Sequence, residues 1–371
     1  MIDLVIGAGQ GGSRIAKAFS EVYDIEGRYL NLADVDFASF TAPRHHTFVI
    51  DGKGTGRDPL VGEQLVRSNM SQVKEFIAAA IKSNKAKSVV LCVGGGGGSG
   101  TGYMFPLLDY LLSKRREIIL VYTLPQKKEG LPAVPNALRS VNRLIETYIG
   151  RGLPKESQIV PLLVDNDYCF EKYGESDRSD GKGAGYWSRL NEGIARALQR
   201  FYYATTLGSD QLLNAMDGYN TLDYREFLKI LFFKDGFLDI REAYMSHPSE
   251  AASIGKALRT SSLLSGSMNI NTTKAYIVSV AIPDRWRKYA HMPEYVAEVF
   301  DSVSRLTRTP YVLKSSYFSA RLEDRATVSL LLAGVTKSHS LDKHLKNALH
   351  NIEVFKSKGD CDLLDTSGLE I

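Results

Sequence analysis

Seven of the nine residues from Gly94 to Gly102 are glycine. The run Gly94-Gly95-Gly96-Gly97-Gly98-Ser99-Gly100-Thr101-Gly102 follows the apolar stretch Ser88–Val93 and precedes an apolar helical pattern starting near Tyr103. Glycine lets successive backbone N–H groups turn toward one anion with no Cβ in the way, and a following helix adds the positive end of its dipole. That is the chemistry of a phosphate cradle; a flexible linker of this composition would be polar on both sides. A second glycine loop, Gly7-Ala8-Gly9-Gln10-Gly11-Gly12, follows the first apolar strand and opens a helix. It also has the dinucleotide spacing GxGxxG, with Asp34 about 20 residues further on, so taken alone it fits an NAD-binding protein. A dinucleotide fold needs one such loop, whereas a triphosphate gripped from two sides needs two.

A third loop, Asp51-Gly52-Lys53-Gly54-Thr55-Gly56-Arg57-Asp58-Pro59, ends in an Asp N-cap and a Pro at the first helical position. Amides at Gly54 and Gly56 are candidates to face a terminal phosphate, with Lys53 and Arg57 as candidate contacts; an ordinary strand-to-helix turn is the alternative. Walker A chemistry is excluded, because no Gly-Lys pair (Gly52-Lys53, Gly181-Lys182, Gly255-Lys256) is followed by Ser or Thr. Trp187 and Asn191, four apart on a helical pattern, face the same way. An indole can stack on a purine while the amide, both donor and acceptor, pairs with a guanine edge. Asp223 and Glu226, three apart at a helix start, are either helix N-terminal charges or carboxylates able to orient a water.

These groups are positioned by a chain of 371 residues, 44% hydrophobic and 24% charged, ordinary for a globular protein of two domains. No apolar run reaches membrane-spanning length, and Met1–Ile6 reads as a strand rather than a signal peptide, so a cytoplasmic location is expected. Cys92, Cys169 and Cys361 lack metal spacing and are expected to be reduced and mostly buried; the seven histidines offer no HExxH. The net charge of +4 is spread along the chain, so direct nucleic-acid binding is not expected.

The first third alternates strands and helices: Leu4–Ile6, a helix over Arg14–Val22, Tyr29–Leu32, Thr47–Ile50, one helix from Pro59 to about Ser83, then Val89–Val93. Ile118–Tyr122, a helix near Ala133–Ile149 and the strand Ile159–Val164 continue it. The fold class is therefore α/β, a doubly wound parallel sheet. After the polar segment Gly174–Gly185, read as a loop, a helix of about 20 residues from Trp187 to Thr206 makes a rod of roughly 30 Å between two domains. A smaller α/β domain follows, with helices near Tyr224–Phe233 and Ala251–Thr260 and strands Ala275–Ile282, Tyr311–Phe318 and Ala326–Ala333. Leu341, Leu345, Ala348, Ile352 and Phe355 mark a last amphipathic helix before a mildly acidic tail. The expected division is 1–186, 187–207, 208–337 and 338–371.

Gly96-Gly97-Gly98-Ser99-Gly100-Thr101-Gly102 resembles the GGG[TS]G[ST]G signature of the tubulin/FtsZ superfamily. The resemblance implies GTP/GDP as ligand, Mg²⁺ as cofactor, and head-to-tail self-assembly into filaments. Gly9-Gln10-Gly11-Gly12 is similar to the tubulin GQxG loop, which gives Gln10 a phosphate contact and an indirect, water-mediated metal contact. The third loop is similar to the γ-phosphate-sensing loop of FtsZ. Pro125-Gln126-Lys127-Lys128-Glu129-Gly130 resembles the FtsZ PxxxEG segment, implying ribose contacts by Glu129, although Ala133 stands where FtsZ has an Arg. Val164-Asp165-Asn166-Asp167 resembles its PND segment and puts Asn166 near sugar or base. Asp217–Phe227 looks like the FtsZ catalytic loop GxxNxDFxD, with Asp223 and Glu226 on its acidic positions, Asn220 displaced by one and Glu in place of the second Asp. In that family the loop serves the neighbouring subunit's nucleotide, so hydrolysis requires polymerisation. Ala257–Leu264 and Ala275–Val280 resemble a further FtsZ stretch. The short C-terminal region favours the plasmid- or phage-borne TubZ type, which moves DNA through a DNA-binding adaptor; no membrane partner is expected. Division FtsZ, an NAD-dependent enzyme and a non-hydrolysing nucleotide sensor are the alternatives.

Overall fold

A computed structural model describes residues 2–50, 52–129, 132–149, 158–174, 184–206, 222–233, 236–266 and 268–336, with Asp342, Lys343, Lys346, Asn347 and His350 beyond them. The expected loop over 175–183, the first part of the catalytic-loop segment at 217–221, most of the last amphipathic helix and the tail lie outside the described residues. The chain divides into two compact units, one made of Met1–Ala195 with Ser340–Ile371 and the other of Arg196–His339.

The N-terminal unit is built on six strands: β1 (Leu4–Ala8), β2 (Gly27–Asn31), β3 (Thr47–Val49), β4 (Ser88–Gly94), β5 (Glu117–Leu124) and β6 (Gln158–Asp165). They pair in the order β3-β2-β1-β4-β5-β6, all parallel. Near-continuous apolar runs such as Val89–Val93 and Ile118–Tyr122 are buried along their whole length, as a parallel sheet covered on both faces demands. Helices α1 (Gly9–Tyr23), α2 (Pro59–Ser68), α3 (Met70–Ser83), α4 (Gly98–Ser113), α5 (Ala133–Leu144) and α6 (Asn166–Tyr173) connect them. Strand order reverses between β1 and β4, the place where a crevice opens at the carboxyl ends of an open α/β sheet.

Two expectations are corrected here. The helix placed near Tyr103 starts at Gly98, so part of the glycine run is the helix's own buried first turn. A Cβ at Gly102 would meet the Gly62 carbonyl carbon at 2.6 Å, so glycine lets α2 and α4 touch backbone to backbone. The single helix over Pro59–Ser83 is two, because Asn69 leaves helical geometry at φ −108° and ψ 17° while its Nδ2 donates to the Leu65 carbonyl at 2.9 Å. Asn166, which the resemblance places near sugar or base, begins a helix capped by Asp165, which accepts from the amides of Asp167 and Tyr168. The expected Asp58 cap is present, accepting from Leu60 and Val61 at 2.8 and 3.2 Å with Pro59 first in the helix.

Helix α7 (Ala184–Ala204) crosses the boundary between the units. The C-terminal unit adds α8 (Tyr224–Leu231), β7 (Phe237–Met245), α9 (Ile254–Thr260), β8 (Ala275–Pro283), α10 (Met292–Thr307), β9 (Val312–Ser319) and β10 (Ala326–Val335). Its strands pair as β7-β10-β8-β9, antiparallel except for β8 with β9, which α10 connects. Sequence reading passed over β7 because Asp239, Arg241 and Glu242 break its apolar pattern, yet all three are buried. Arg241 is 1% exposed; it donates to Asp239 Oδ2 at 2.8 Å, to the Leu258 and Arg259 carbonyls at the end of α9, and to the Met268 carbonyl at 2.6 Å. Asp239 Oδ1 accepts from Ser262 and Ser265. One buried ion pair thus ties β7 to the segment from 258 to 268.

Removing one partner of such a pair strands the other without solvent, a cost of about 3–5 kcal/mol. Arg241→Ala is therefore expected to lower the denaturation midpoint steeply. Arg285→Ala, which breaks the exposed pair with Asp324, is expected to shift stability by less than about 1 kcal/mol. Chemical denaturation of the two variants side by side checks this.

Candidate functional site

A cavity of about 640 Å³ lies at the reversal point of the N-terminal sheet. Its walls come from the turn out of β1 (Ala8–Gly11) with Arg14 and Ile15 of α1, from Ala33 and Asp36 after β2, from Gly54–Arg57, from Gly94–Gly100, from Thr123, Pro125, Glu129 and Ala133 around the end of β5, and from Asn166. Trp187, Asn191 and Ile194 of α7 complete it.

The two glycine turns approach each other across this crevice. Gly9 has φ +70°, and a Cβ there would meet the Gly100 nitrogen at 2.6 Å; one on Gly100 would meet the Gly94 and Ala8 carbonyl oxygens at 2.8 and 3.0 Å. Gly96, at φ +87°, would meet the Ala133 carbonyl at 2.7 Å, whereas a Cβ on Gly97 would meet nothing within 4 Å. Glycine is thus required at Gly9, Gly96 and Gly100 by packing, and at Gly97 backbone stands open. Thr55 occupies the place a Cβ on Gly98 would need, so the Gly54–Arg57 loop sits directly beside the start of α4. Backbone amides from three loops and the N-termini of two helices converge on one space, which suits a polyanion.

On the opposite wall the turn after β5 is stitched to α6. The Gln126 amide donates to Glu129 Oε1 at 2.8 Å, its Nε2 to the Asn166 carbonyl at 3.3 Å, and the Lys127 amide to Asp167. These bonds hold Glu129 and Asn166 at the same rim. Trp187 is half-buried; its ring lies edge-on to Tyr186 with centroids 5.1 Å apart, and Tyr186 lies edge-on to Phe170 at 5.3 Å. An aromatic chain anchored in α6 thereby sets the indole against the cavity, and Asn191 follows one helical turn later.

Of the residues singled out from sequence, Gly9, Gln10, Gly11, Gly54, Gly56, Gly96, Gly97, Gly98, Ser99, Gly100, Glu129, Asn166, Trp187 and Asn191 line this cavity. Gly12, Asp34, Thr101, Gly102, Asp223 and Glu226 are not among its lining residues. Gly12 packs under the Cys92 carbonyl, where a side chain would collide. Asp34 is exposed and acts on the third loop instead, its amide donating to the Gly52 carbonyl at 3.2 Å while its carboxylate fills the space beside Gly52. The acid that reaches the cavity after β2 is Asp36, whose Oδ2 accepts from buried Asn31 at 3.0 Å. Both acids belong to the short helical turn over Asp34–Phe37, and of the two it is Asp36 that lines the cavity. Arg14 and Thr55 were also missed; Arg14 falls one turn after Gln10, a spacing that was there to be read.

Asp223 caps α8, its Oδ1 accepting from the amides of Arg225 and Glu226 at 2.9 and 3.0 Å, and both acids are exposed. Burial pushes the thiols of Cys92 and Cys169 well above the ordinary range, so both are inert packing groups, as expected. Among the described residues there is no cluster of three or more His, Cys, Asp or Glu able to hold a metal, and no helix long and apolar enough to cross a membrane.

Comparison with known proteins bears on this site directly. Residues 4–148 match the Tubulin/FtsZ family, GTPase domain. The tubulin-like protein CetZ2 of Haloferax volcanii is 30% identical over 211 residues, covering 53% of this chain and 52% of the relative. The tubulin-like protein TubZ of Bacillus cereus is 25% identical over 154 residues, covering 42% and 33%. The matched region thus spans about half or less of these relatives' length. In three dimensions, the GDP-form protofilament structure of Bacillus thuringiensis serovar israelensis TubZ superposes with a TM-score of 0.77 at 17% identity, over 99% of this chain and 94% of that one, which establishes a shared fold. Paired glycine turns at the reversal point of a parallel sheet, with most of the cavity wall between them, fall within residues 4–148, the stretch that matches the GTPase domain of the Tubulin/FtsZ family.

Proposed function

We propose that this protein is a tubulin-like GTPase that polymerises head to tail into filaments and hydrolyses GTP across the subunit contact. The observation that carries the reading is the cavity itself: amides of three glycine loops on one side, and Trp187 with Asn191 on the other. The amides receive the phosphates, Glu129 and Asn166 receive the ribose, and the indole and carboxamide take the guanine. Mg²⁺ fits this donor set, since it binds phosphate oxygens, keeps several waters and needs few protein ligands; Gln10 would reach it through water. When bound it neutralises charge on the phosphates.

The catalytic groups in this reading are Asp223 and Glu226. Neither lines the cavity of its own chain, and both face solvent, an arrangement suited to orienting a water at the nucleotide of the next subunit. A contact of that kind is heterologous and generates an open filament. The reading is supported by the matched GTPase domain and by relatives whose structures are protofilaments. Plasmid or phage DNA segregation through a DNA-binding adaptor, in the cytoplasm, is the role we propose for the filament, supported by the likeness to TubZ.

Sedimentation and negative-stain microscopy with GTP and with GDP test assembly: filaments are expected with GTP, and none with either nucleotide overturns the proposal. At the base site, Trp187→Ala removes a stacking surface, for which a loss of about 1–3 kcal/mol of GTP binding is expected. Asn191→Asp reverses the donor pattern and is expected to lower the preference for GTP over ATP; titration of both nucleotides, with thermal melting as a folding control, measures this.

For catalysis, turnover per subunit is expected to rise steeply above a threshold protein concentration. Asp223→Asn keeps an N-cap residue but removes the charge. Phosphate release from it is expected to fall about 100-fold or more, the usual scale for a positioned acid–base group, while filaments form and persist. Turnover independent of concentration would sink the mechanism.

A further inference from the structure

The edge of the N-terminal sheet opposite the cavity gathers like charge. Strands β4 and β5 start there side by side, Ser88 opposite Glu117, with the Glu117 amide donating to the Lys87 carbonyl at 3.0 Å. The turns leading into them, Lys82–Lys87 after α3 and Lys114–Arg116 after α4, hold six cations and no acid. Neighbouring strands lie about 5 Å apart, so residues distant in sequence form one narrow patch. Lys74 of α3 joins it: its ammonium and that of Lys114 each stand 5.9 Å from the centroid of the Tyr110 ring. A net charge of +4 over 371 residues gives no sign of such a cluster, because only the parallel register brings the two turns together.

Both turns close in the same way. The Ala86 amide donates to the Ile81 carbonyl at 3.0 Å and the Arg116 amide to the Leu111 carbonyl at 3.1 Å, with Lys85 and Arg115 in the left-handed region at φ 49° and 53°. Glycine is the usual residue there. After α1 the same conformation is held by Asp24, at φ 53°, so the turn itself selects no cation. A helix C-terminus favours nearby positive charge, but it does not call for three cations at each end. Three acids at this edge are engaged otherwise: Asp3 accepts from the amides of Lys87 and Ser88 at 2.8 and 3.0 Å, Glu26 from Asn84 Nδ2 at 2.6 Å, and Glu117 from the Ser88 hydroxyl at 3.2 Å. Lys82, Lys85, Lys87, Lys114 and Arg115 are exposed, and among the described residues none of those four lysines is in an ion pair.

Like charges held side by side cost stability, and a polyanion is the partner that relieves them. None of the exposed large apolar side chains, Val35, Leu60, Val61, Tyr244 and Tyr311, belongs to this patch. It therefore lacks the apolar anchors on which a protein contact depends. Two adjacent turns also make a ridge rather than a broad face, which suits a dense line of phosphates better than a membrane surface. We propose that this edge of the N-terminal unit holds the phosphate backbone of duplex DNA, by charge alone and without reading bases. Lysine, a point charge on a flexible stem, fits contacts that fix no register. Direct contact of this kind goes beyond a role through an adaptor, and it does not rest on the nucleotide site.

The test is equilibrium binding of a fluorescent DNA duplex of mixed sequence to the full chain without nucleotide, from about 50 to 200 mM salt. Two triple variants are set beside the unsubstituted protein. Lys85→Gln/Lys87→Gln/Lys114→Gln neutralises the patch, and Lys229→Gln/Lys256→Gln/Lys288→Gln removes the same charge from exposed positions of the C-terminal unit. Each phosphate neutralised adds about −0.9 to the slope of log affinity against log salt. The patch variant is expected to lose at least about 10-fold in affinity at the lowest salt and to show a slope shallower by about 2 to 3. Its thermal midpoint is expected to equal or exceed that of the unsubstituted protein, since like charges have been removed. The control is expected to stay within about 2-fold. Lys85→Gly suits the left-handed backbone, which guards against misfolding, and is expected to make the slope shallower by about 1. A patch variant that keeps its affinity, equal losses in both triple variants, or no binding by the unsubstituted protein at the lowest salt overturns the proposal. So does a patch that binds vesicles containing phosphatidylserine in preference to the duplex.

Discussion

Two backbones pass each other at the reversal point of the N-terminal sheet with no side chain between them, and the rest of the site depends on that approach. The gap at Gly9 and Gly100 is narrower than any Cβ tolerates, so the turn out of β1 and the turn out of β4 act as one surface. Close approach makes their amides address a common point, and the same approach draws α1 and α4 into the crevice with their dipoles aligned on it. Glycine in a first helical turn is unfavourable by about 1 kcal/mol per residue relative to Ala. In α4 that cost is offset by contacts that only a bare backbone permits, against Gly62 on one side and Gly94 on the other. Packing and ligand recognition are therefore two faces of one sequence requirement.

The C-terminal unit is organised by the opposite means. Its centre holds charge rather than bare backbone: Arg241 satisfies three main-chain carbonyls and Asp239 two serine hydroxyls, so a buried ion pair is left with its polar groups engaged. Such a network specifies one arrangement of the segment between α9 and β8, because any other leaves a buried charge exposed to apolar surroundings. The polar character continues along β7, where Glu242 accepts from Ser329 of β10 and pairs with Arg200 of α7.

What could be read from sequence follows from how local each signal is. The parallel sheet was legible because its strands are buried on both faces and appear as uninterrupted apolar runs; Ile118–Tyr122 needs no context. The cap at Asp58 was legible because capping is a matter of neighbouring residues. Strand β7 was not, since Asp239 and Arg241 look solvated until the partners 17 to 27 residues away are known. Helix α10 went unread although its buried residues recur at helical spacing, from Val296 to Val299, Phe300 and Val303. At the site, the glycines and the Trp187–Asn191 pair singled out by spacing line the cavity, whereas Asp34 does not and Asp36 does; the direction of a side chain in a single short turn depends on what that turn packs against. Glycine positions that serve the ligand and those that serve packing were indistinguishable in the sequence: Gly97 and Gly102 read alike, and only the neighbouring atoms separate them.

The order β7-β10-β8-β9 has a consequence for how the chain comes off the ribosome. β10, the last of the four to be synthesised, is the strand that pairs with both β7 and β8. Until Val335 has emerged, β8 and β9 can join through α10, but β7 has no way to reach them within this sheet. The C-terminal unit therefore closes in a single late step, with β7 and its buried acid and base waiting through about 90 residues of synthesis. Domains generally form as units during translation, N-terminal first. The strands of the first unit, among residues 4–165, emerge well before this, but that unit also takes in Ser340–Ile371 and is completed only after β10.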